Sequence, residues 1–474
     1  MNTDGSIKLV SSRWRPHDAT GWVLAVAILQ TVAGIVATLY GWPIAVAPLV
    51  VTTMAVAMIF PRIGIVILML TMFSKNSLPG TNGIYASDFL SLAVMAGALI
   101  RGLSEPRRLS FCSPLCAPMI AIAAYFGLTI LWALHPMPAL VNWLRHLQLI
   151  VLSILIAQTV EIEDMPKILA VLVFTTLALS FYTVSQFGAS GGRERLFGPT
   201  GWFFTTFLAM SMIHASVGAM LSPRALTRTC WIAGAAVCFL GLIASQTRSA
   251  MLQALLGIII AVICTWLWAG WNKQAHIRRR IVILVALTAA MILIFLFGQI
   301  AMFETASNRV EEAMEGRSNT IFIRVLLWKT GWAVFADSPV FGVGLGQASR
   351  WSEQVNFFHL DPASPRAGGL GVHNDAITYL AETGIIGTGL ILWLFWAVVR
   401  MGGHLLRTVR DEKRAFQLLV LLAPSGAIIA HYFYSAYLFY SIGGMVVAFY
   451  FGMLARLYMS WQKQDQTTTI LESR

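Results

Sequence analysis

Stretches of predominantly apolar sequence, each close to the ~20 residues that a helix needs to cross a hydrocarbon layer near 30 Å thick, recur in this chain from Gly21 almost to Tyr458. In lipid, every backbone N–H and C=O must find its partner inside the protein, so such stretches fold as helices or as a closed barrel. The runs are rich in Leu, Ala, Val and Ile and lack the alternation of barrel strands, which selects helices. Only 11% of the residues are charged and 57% are hydrophobic, against about 25% charged in an ordinary soluble domain. A soluble fold is excluded. The expected fold class is all-α, a polytopic integral membrane helical bundle of about 14 spans. They read as 21–40, 43–60, 63–73, 85–100, 115–134, 141–159, 166–187, 201–221, 229–246, 249–271, 281–300, 376–400, 416–432 and 434–458, the third being short and the last two nearly fused.

Lys and Arg are retained on the cytoplasmic side of a membrane, so their placement orients the chain. With the N-terminus inside, the inner connections carry 22 of the 33 basic residues, and six of the other 11 lie in one loop, 301–375, too long for the rule to govern. The net charge of +12 is therefore chiefly a topology signal, and nucleic acid is not needed as a partner. Both termini are expected in the cytoplasm. The segment 1–20 is polar and basic without a cleavable signal pattern, so the first apolar run is expected as a retained span. Cys112, Cys116, Cys230, Cys238 and Cys264 lie in or beside apolar runs and form no disulfide or zinc pattern.

This orientation puts three polar segments on the outer side. The first, 188–201, presents Arg193, Glu194 and Arg195 among glycines; guanidinium forks suit phosphate oxygens, and they equally suit lipid headgroups. In the second, Ser245–Ser249, Arg248 stands between two strongly apolar runs. An arginine there costs several kcal/mol, about 2.5 or more at a helix centre, unless it reaches the interface or meets a partner such as a phosphate. In the third, apolar Ile321, Val325, Trp328, Trp332 and Phe335 form one helical stripe over Thr320–Ala336, flanked by Arg324 and Lys329. That pattern predicts a helix lying in the interfacial plane. Gly342, Gly344 and Gly346 follow; with no strand before them they read as backbone permissiveness rather than a nucleotide loop. Next comes His373-Asn374-Asp375, where Asn374 or Asp375 caps a membrane helix whose positive end faces outward. Imidazolium is disfavoured there, so His373 reads as a neutral general base or as an interfacial hydrogen-bonding group. Asp88, Arg145 and His146 fall near outer helix ends. His359, Asp361, His373 and Asp375 match no standard metal spacing, and no metal or cofactor is expected.

The ordered set Arg195-Leu196-Phe197-Gly198, Thr247-Arg248-Ser249, Arg324-x3-Trp328, Pro339-x2-Gly342-x-Gly344-x-Gly346, His373-Asn374 and Glu382-x-Gly384-x2-Gly387 resembles the bacterial O-antigen ligase and polysaccharide polymerase superfamily over roughly residues 190–400. The resemblance implies a polytopic, metal-independent glycosyltransferase of the inner membrane, active on the periplasmic face. Such an enzyme takes a glycan from an undecaprenyl-diphosphate-linked donor to an acceptor sugar, which is lipid A core in ligases and a growing polysaccharide in polymerases. By position, Arg195 and Arg248 would hold the donor diphosphate and His373 would deprotonate the acceptor hydroxyl. Arg193, Arg324, Asn374, Asp375 and Glu382 stand as secondary candidates.

The implied organisation is a cytoplasmic segment 1–20, a transmembrane bundle 21–187, a catalytic region 188–400 that includes the periplasmic loop 301–375, and a C-terminal hairpin and tail 401–474. Membrane lipid is the other expected partner. Ligase and polymerase motifs overlap; the ligase-like reading is preferred and the polymerase kept as its alternative. A lipid-linked sugar transporter or flippase is a remoter alternative, because the paired halves and mid-bilayer charges of such proteins are not evident here.

Overall fold

The computed structural model describes residues 51, 53–57, 61–71, 86–104, 113–189, 202–245, 247–282, 285, 289, 320–351, 371–436 and 441–472. Every regular element among them is helical. In chain order these are α1 (Pro61–Thr71), α2 (Ala86–Ser104), α3 (Cys116–Leu128, running into a 3-10 turn at Thr129–Leu131), α4 (Pro136–Thr159), α5 (Met165–Ala189), α6 (Trp202–Leu221), α7 (Ala225–Ser245), α8 (Arg248–Trp271), α9 (Thr320–Asp337), α10 (Ala348–Trp351), α11 (Asp375–Thr408), α12 (Glu412–Tyr432) and α13 (Ser441–Glu472).

Among the described residues, eight helices are long and apolar enough to cross a membrane: α4 to α8 and α11 to α13. Each coincides with an expected span. Helix α1 has 11 residues, about 16 Å of rise, too short to cross alone. The expected spans 21–40, most of 43–60 and most of 281–300 lie outside the described residues. Two expectations need correction. The helix expected at 376–400 extends to Thr408 and is interrupted at Gly384, whose φ of 64° is not helical. The last span does not begin at residue 434 as expected, because residues 433–436 that follow α12 are not helical.

Burial ranks the spans. Of the Phe204–Leu221 stretch 94% is buried, whereas only Cys238, Gly241, Leu242, Ala244 and Ser245 of Ala225–Ser245 are, so α6 is central in the bundle and α7 lies at its surface. Small residues set the approach of α8 to α12, as expected where lipid tails are as apolar as the helices. Gly257 lies against Ile213 and Ala427, and Gly426 against Ile260, which makes α8 and α12 antiparallel neighbours.

The bundle has two distinguishable ends. At one, Trp268 Nε1 and Asn272 Nδ2 donate to the Val409 carbonyl, at 3.1 and 3.4 Å. Arg280 there donates to the carbonyls of Met220 and Ser222. At the other end, α8 starts at Arg248, α11 starts at Asp375 and α12 finishes at Tyr432.

Helix α9 packs along the first turns of α11 with a face that is not the apolar stripe of the sequence. Leu326, Leu327, Thr330 and Val334 are buried, whereas Val325 and Trp332 remain 38% and 50% exposed. Trp328 and Phe335 lean onto a small core of Val334, Val343, Ala348, Val372, Ile377 and Ala381. The strongest apolar stripe is thus split between protein and surroundings.

Candidate active site

A broken helix and a glycine loop interlock near the start of α11. Where α11 is interrupted, its carbonyls and amides lose their helical partners and must find others. The loop supplies them. Val343 N donates to Ala381 O at 3.0 Å, Gly344 N to Glu382 O at 2.9 Å, and Ile385 N to Pro339 O at 3.0 Å. This backbone pairing demands close approach and unusual dihedrals. Gly342, Gly344, Gly346 and Gly384 all take positive φ, between 64° and 104°, and a Cβ on Gly342 would overlap the Glu382 carbonyl.

Glu382, 7% exposed, completes the joint. Its carboxylate accepts from Gly346 N at 2.7 Å and Ala348 N at 3.2 Å. Tyr125 of α3, Trp132 after the 3-10 turn and the backbone of His135 before α4 brace the far side. Trp132 Nε1 donates to Gly342 O at 3.1 Å, Tyr125 Oη to Thr383 O at 3.1 Å, and Gln347 Nε2 to His135 O at 3.2 Å while Gln347 Oε1 accepts from His135 N.

The opposite end of this half-helix carries the sequence's candidate base. Asn374 caps α11: its Oδ1 accepts from Ile377 N at 3.2 Å and its Nδ2 donates to Phe433 O at 3.1 Å. Asp375, buried, donates its backbone N–H to Ser435 O at 2.8 Å. His373, just before the cap, has φ 55°, in the left-handed region where histidine is tolerated better than most residues. Partial burial, and secondarily the positive charge of Arg324, hold its imidazole below the usual 6.5, which favours the neutral form. Arg324 is itself exposed on α9.

Arg248 is the first residue of α8 and is exposed; Thr247 before it makes no side-chain cap. It joins the same end of the bundle through the turn after α12, because Tyr434 Oη donates to Ser249 O at 3.3 Å. Residues 433–435 therefore bond both to the helix that begins with Arg248 and to the helix that His373 precedes. Arg248 and His373 thus stand at the starts of two helices tied to one turn, and the two helix N-termini add positive potential there.

His146 also reaches this half-helix, its Nε2 lying 2.7 Å from Tyr379 Oη. Arg193 and Arg195 lie outside the described residues, as does the side chain of Asp88. Sequence reasoning missed Tyr125, Trp132, Gln347 and Tyr434. The available signal was weak: aromatic and amide side chains near span ends, each bonding to backbone far away in the chain.

A comparison with curated proteins finds no match. The family model of O-antigen ligases (Wzy_C) matches residues 233–392, an interval that holds Arg248, Arg324, the glycine loop, His373 and Glu382. With eight membrane-length helices among its described residues, the chain is a multi-spanning membrane protein whose residues 233–392 are similar to the O-antigen ligase family.

Proposed function

We propose that this protein is a glycosyltransferase that moves a glycan from an undecaprenyl-diphosphate-linked donor to an acceptor sugar at the periplasmic face of the inner membrane, in the manner of an O-antigen ligase. One observation carries the reading: Arg248 and His373, 125 positions apart in the sequence, precede or open helices that are hydrogen-bonded to the same turn, 433–435.

In this reading His373 takes the proton from an acceptor hydroxyl as its oxygen attacks the donor's anomeric carbon. The bond from that carbon to the phosphate oxygen breaks, and the diphosphate leaves with the bonding pair. Arg248 and Arg195 hold the diphosphate, and their guanidinium groups stabilise the negative charge that develops on it. A base held neutral near physiological pH and placed at the positive end of a helix suits a reaction whose other partner is anionic. The spans leave the polyprenyl chain in lipid while the sugar projects outward. Arg324, one helix away, tunes the imidazole by its charge. Asn374 fixes where the helix begins, and Glu382 holds the glycine loop.

The test is transfer from lipid-linked donor in membranes carrying Arg195→Ala, Arg248→Ala or His373→Ala, each expected to lose transfer. Undiminished activity in the His373 variant removes the general-base assignment. Deleting the gene and sizing the surface polysaccharide separates the two superfamily activities. Long unattached chains are the ligase result, and single repeat units would establish the polymerase instead.

A further inference from the structure

Two buried polar atoms beneath Arg248 have no hydrogen-bond partner among the described residues. They are Nδ1 of His431, a residue 8% exposed, and Oε1 of Gln253, 1% exposed. Burying a polar atom without a partner is costly, and inside a membrane no bulk water relieves it. Both lie in the seam between α8 and α12, and the register brings them to one level. Ala427 lies against Gly257, so one helical turn toward Arg248 sets His431 opposite Gln253. One turn further, Tyr434 Oη bonds Ser249 O. Ser249 and Gln253, four residues apart, share the face of α8 that meets α12. The His431 ring also packs edge-on to Tyr434, with centroids 5.2 Å apart.

The chemistry of the pair narrows its ligand. Gln253 Oε1 only accepts a hydrogen bond, whereas an imidazole nitrogen donates or accepts. A phosphate oxygen, which only accepts, would leave Gln253 Oε1 without a donor unless the carboxamide turned its NH2 inward. A hydroxyl satisfies both, giving its hydrogen to one and receiving a hydrogen from the other. The turn that follows His431 is the one tied to the starts of both α8 and α11, and a sugar bonded to a diphosphate must come beside those starts to reach His373. We infer that His431 and Gln253 form the inner wall of the reaction site and bind a hydroxyl of the donor's first sugar. This rests on the glycosyltransferase reading and extends it to a residue, His431, beyond the matched interval 233–392.

The test measures equilibrium binding of two labelled probes to the full-length protein in nanodiscs: undecaprenyl diphosphate carrying one sugar, and bare undecaprenyl diphosphate. The variants are Gln253→Leu, His431→Leu and the conservative His431→Gln, with the unfolding temperature of each recorded. Replacing an unpartnered buried polar group by an apolar one of similar size is neutral or stabilising for the ligand-free protein. The expected result is an unfolding temperature unchanged or raised, with affinity for the glycosylated probe lowered about tenfold, the worth of one hydrogen bond. Affinity for the bare carrier stays unchanged, and His431→Gln recovers part of the loss. Equal weakening of both probes assigns the pair to the diphosphate and overturns the inference. Unchanged affinity for both, with or without a lower unfolding temperature, makes the pair structural and overturns it as well. A wild-type protein that binds neither probe overturns the parent reading along with this one, whereas wild-type binding with unaffected variants sinks this one alone.

Discussion

Replacing Glu382 tests whether the glycine loop is held by a side-chain clasp. The carboxylate is 7% exposed and accepts from two backbone amides, Gly346 N and Ala348 N. Glu382→Ala leaves both N–H groups buried without an acceptor. At about 1–3 kcal/mol for each stranded donor, the loss is about 2–6 kcal/mol before any cavity cost. Glu382→Gln keeps one acceptor oxygen but turns an NH2 group toward the second amide, so about half of that loss is expected. In a chain this long each kcal/mol lowers the unfolding temperature by roughly 2 °C or less. Thermal unfolding of purified protein in nanodiscs should therefore rank wild type above Glu382→Gln and Glu382→Ala lowest, by several degrees. Binding of the glycosylated carrier, measured below the unfolding range, should survive in Glu382→Gln, because both carboxylate oxygens are engaged with the loop amides. An alanine variant as stable as wild type would refute the clasp. A glutamine variant of full stability that no longer binds carrier would move Glu382 from the scaffold into the binding site.

Gly384→Ala combines a φ of 64° with a Cβ that would overlap the Val340 carbonyl. The dihedral alone costs about 1–2 kcal/mol and the overlap adds to it, so a lower yield of folded protein and earlier unfolding are expected. Gly389→Ala is the internal control: it lies on the same helix with nothing within 4 Å of its Cβ, and it should be neutral or slightly stabilising. For pH, burial and the Arg324 charge hold His373 below 6.5. A base that must be neutral is therefore still competent below that value, and activity should fall only as the pH drops through the depressed pKa. Arg324→Gln removes the charge contribution and leaves burial, so the acid limb of the rate profile should move up toward 6.5. A limb that stays fixed or moves down refutes the assignment.

The spans were legible because a run of about 20 apolar residues admits few other readings in water or lipid. The start of α11 was legible for a local reason: Asn-Asp ahead of a long apolar run is a cap with a mechanism, and Asn374 does accept from Ile377 N. The glycine spacing at 342, 344 and 346 signalled backbone freedom, and all three residues use it. The break at Gly384 was not legible. One glycine in an apolar run is compatible with an unbroken helix, and what breaks this one is pairing with Pro339–Gly344, which no local pattern records. The partners of the loop were hidden for the same reason, since Tyr125 and Trp132 reach it across more than 200 positions. The orphaned atoms of His431 and Gln253 are invisible in sequence, where a histidine or glutamine in a span reads as a polar group with an unknown neighbour. The face of α9 that meets α11 was not legible, because hydrophobicity marks a stripe without saying whether protein or lipid meets it.

The interruption at Gly384 changes what positions the candidate base. An unbroken helix would tie His373 to the full length of a membrane span, so that its placement followed any tilt of that span. Instead Asp375–Thr383 is a separate segment of about 13 Å, fixed at one end by the Asn374 cap and the turn 433–435 and at the other by the glycine loop. Its flank packs on α9 through the small core around Val372 and Ile377. The imidazole thus inherits its position from three polar joints and one apolar contact, all local to the site. Strain at His373, whose φ of 55° is sparsely populated by residues with a Cβ, persists only where the surroundings over-determine it, and these joints do so. Gly342, Gly344, Gly346 and Glu382, all within the matched interval 233–392, lie on the joint farther from His373, which is where residues are needed if their work is to fix the half-helix that sets the strained His373 backbone.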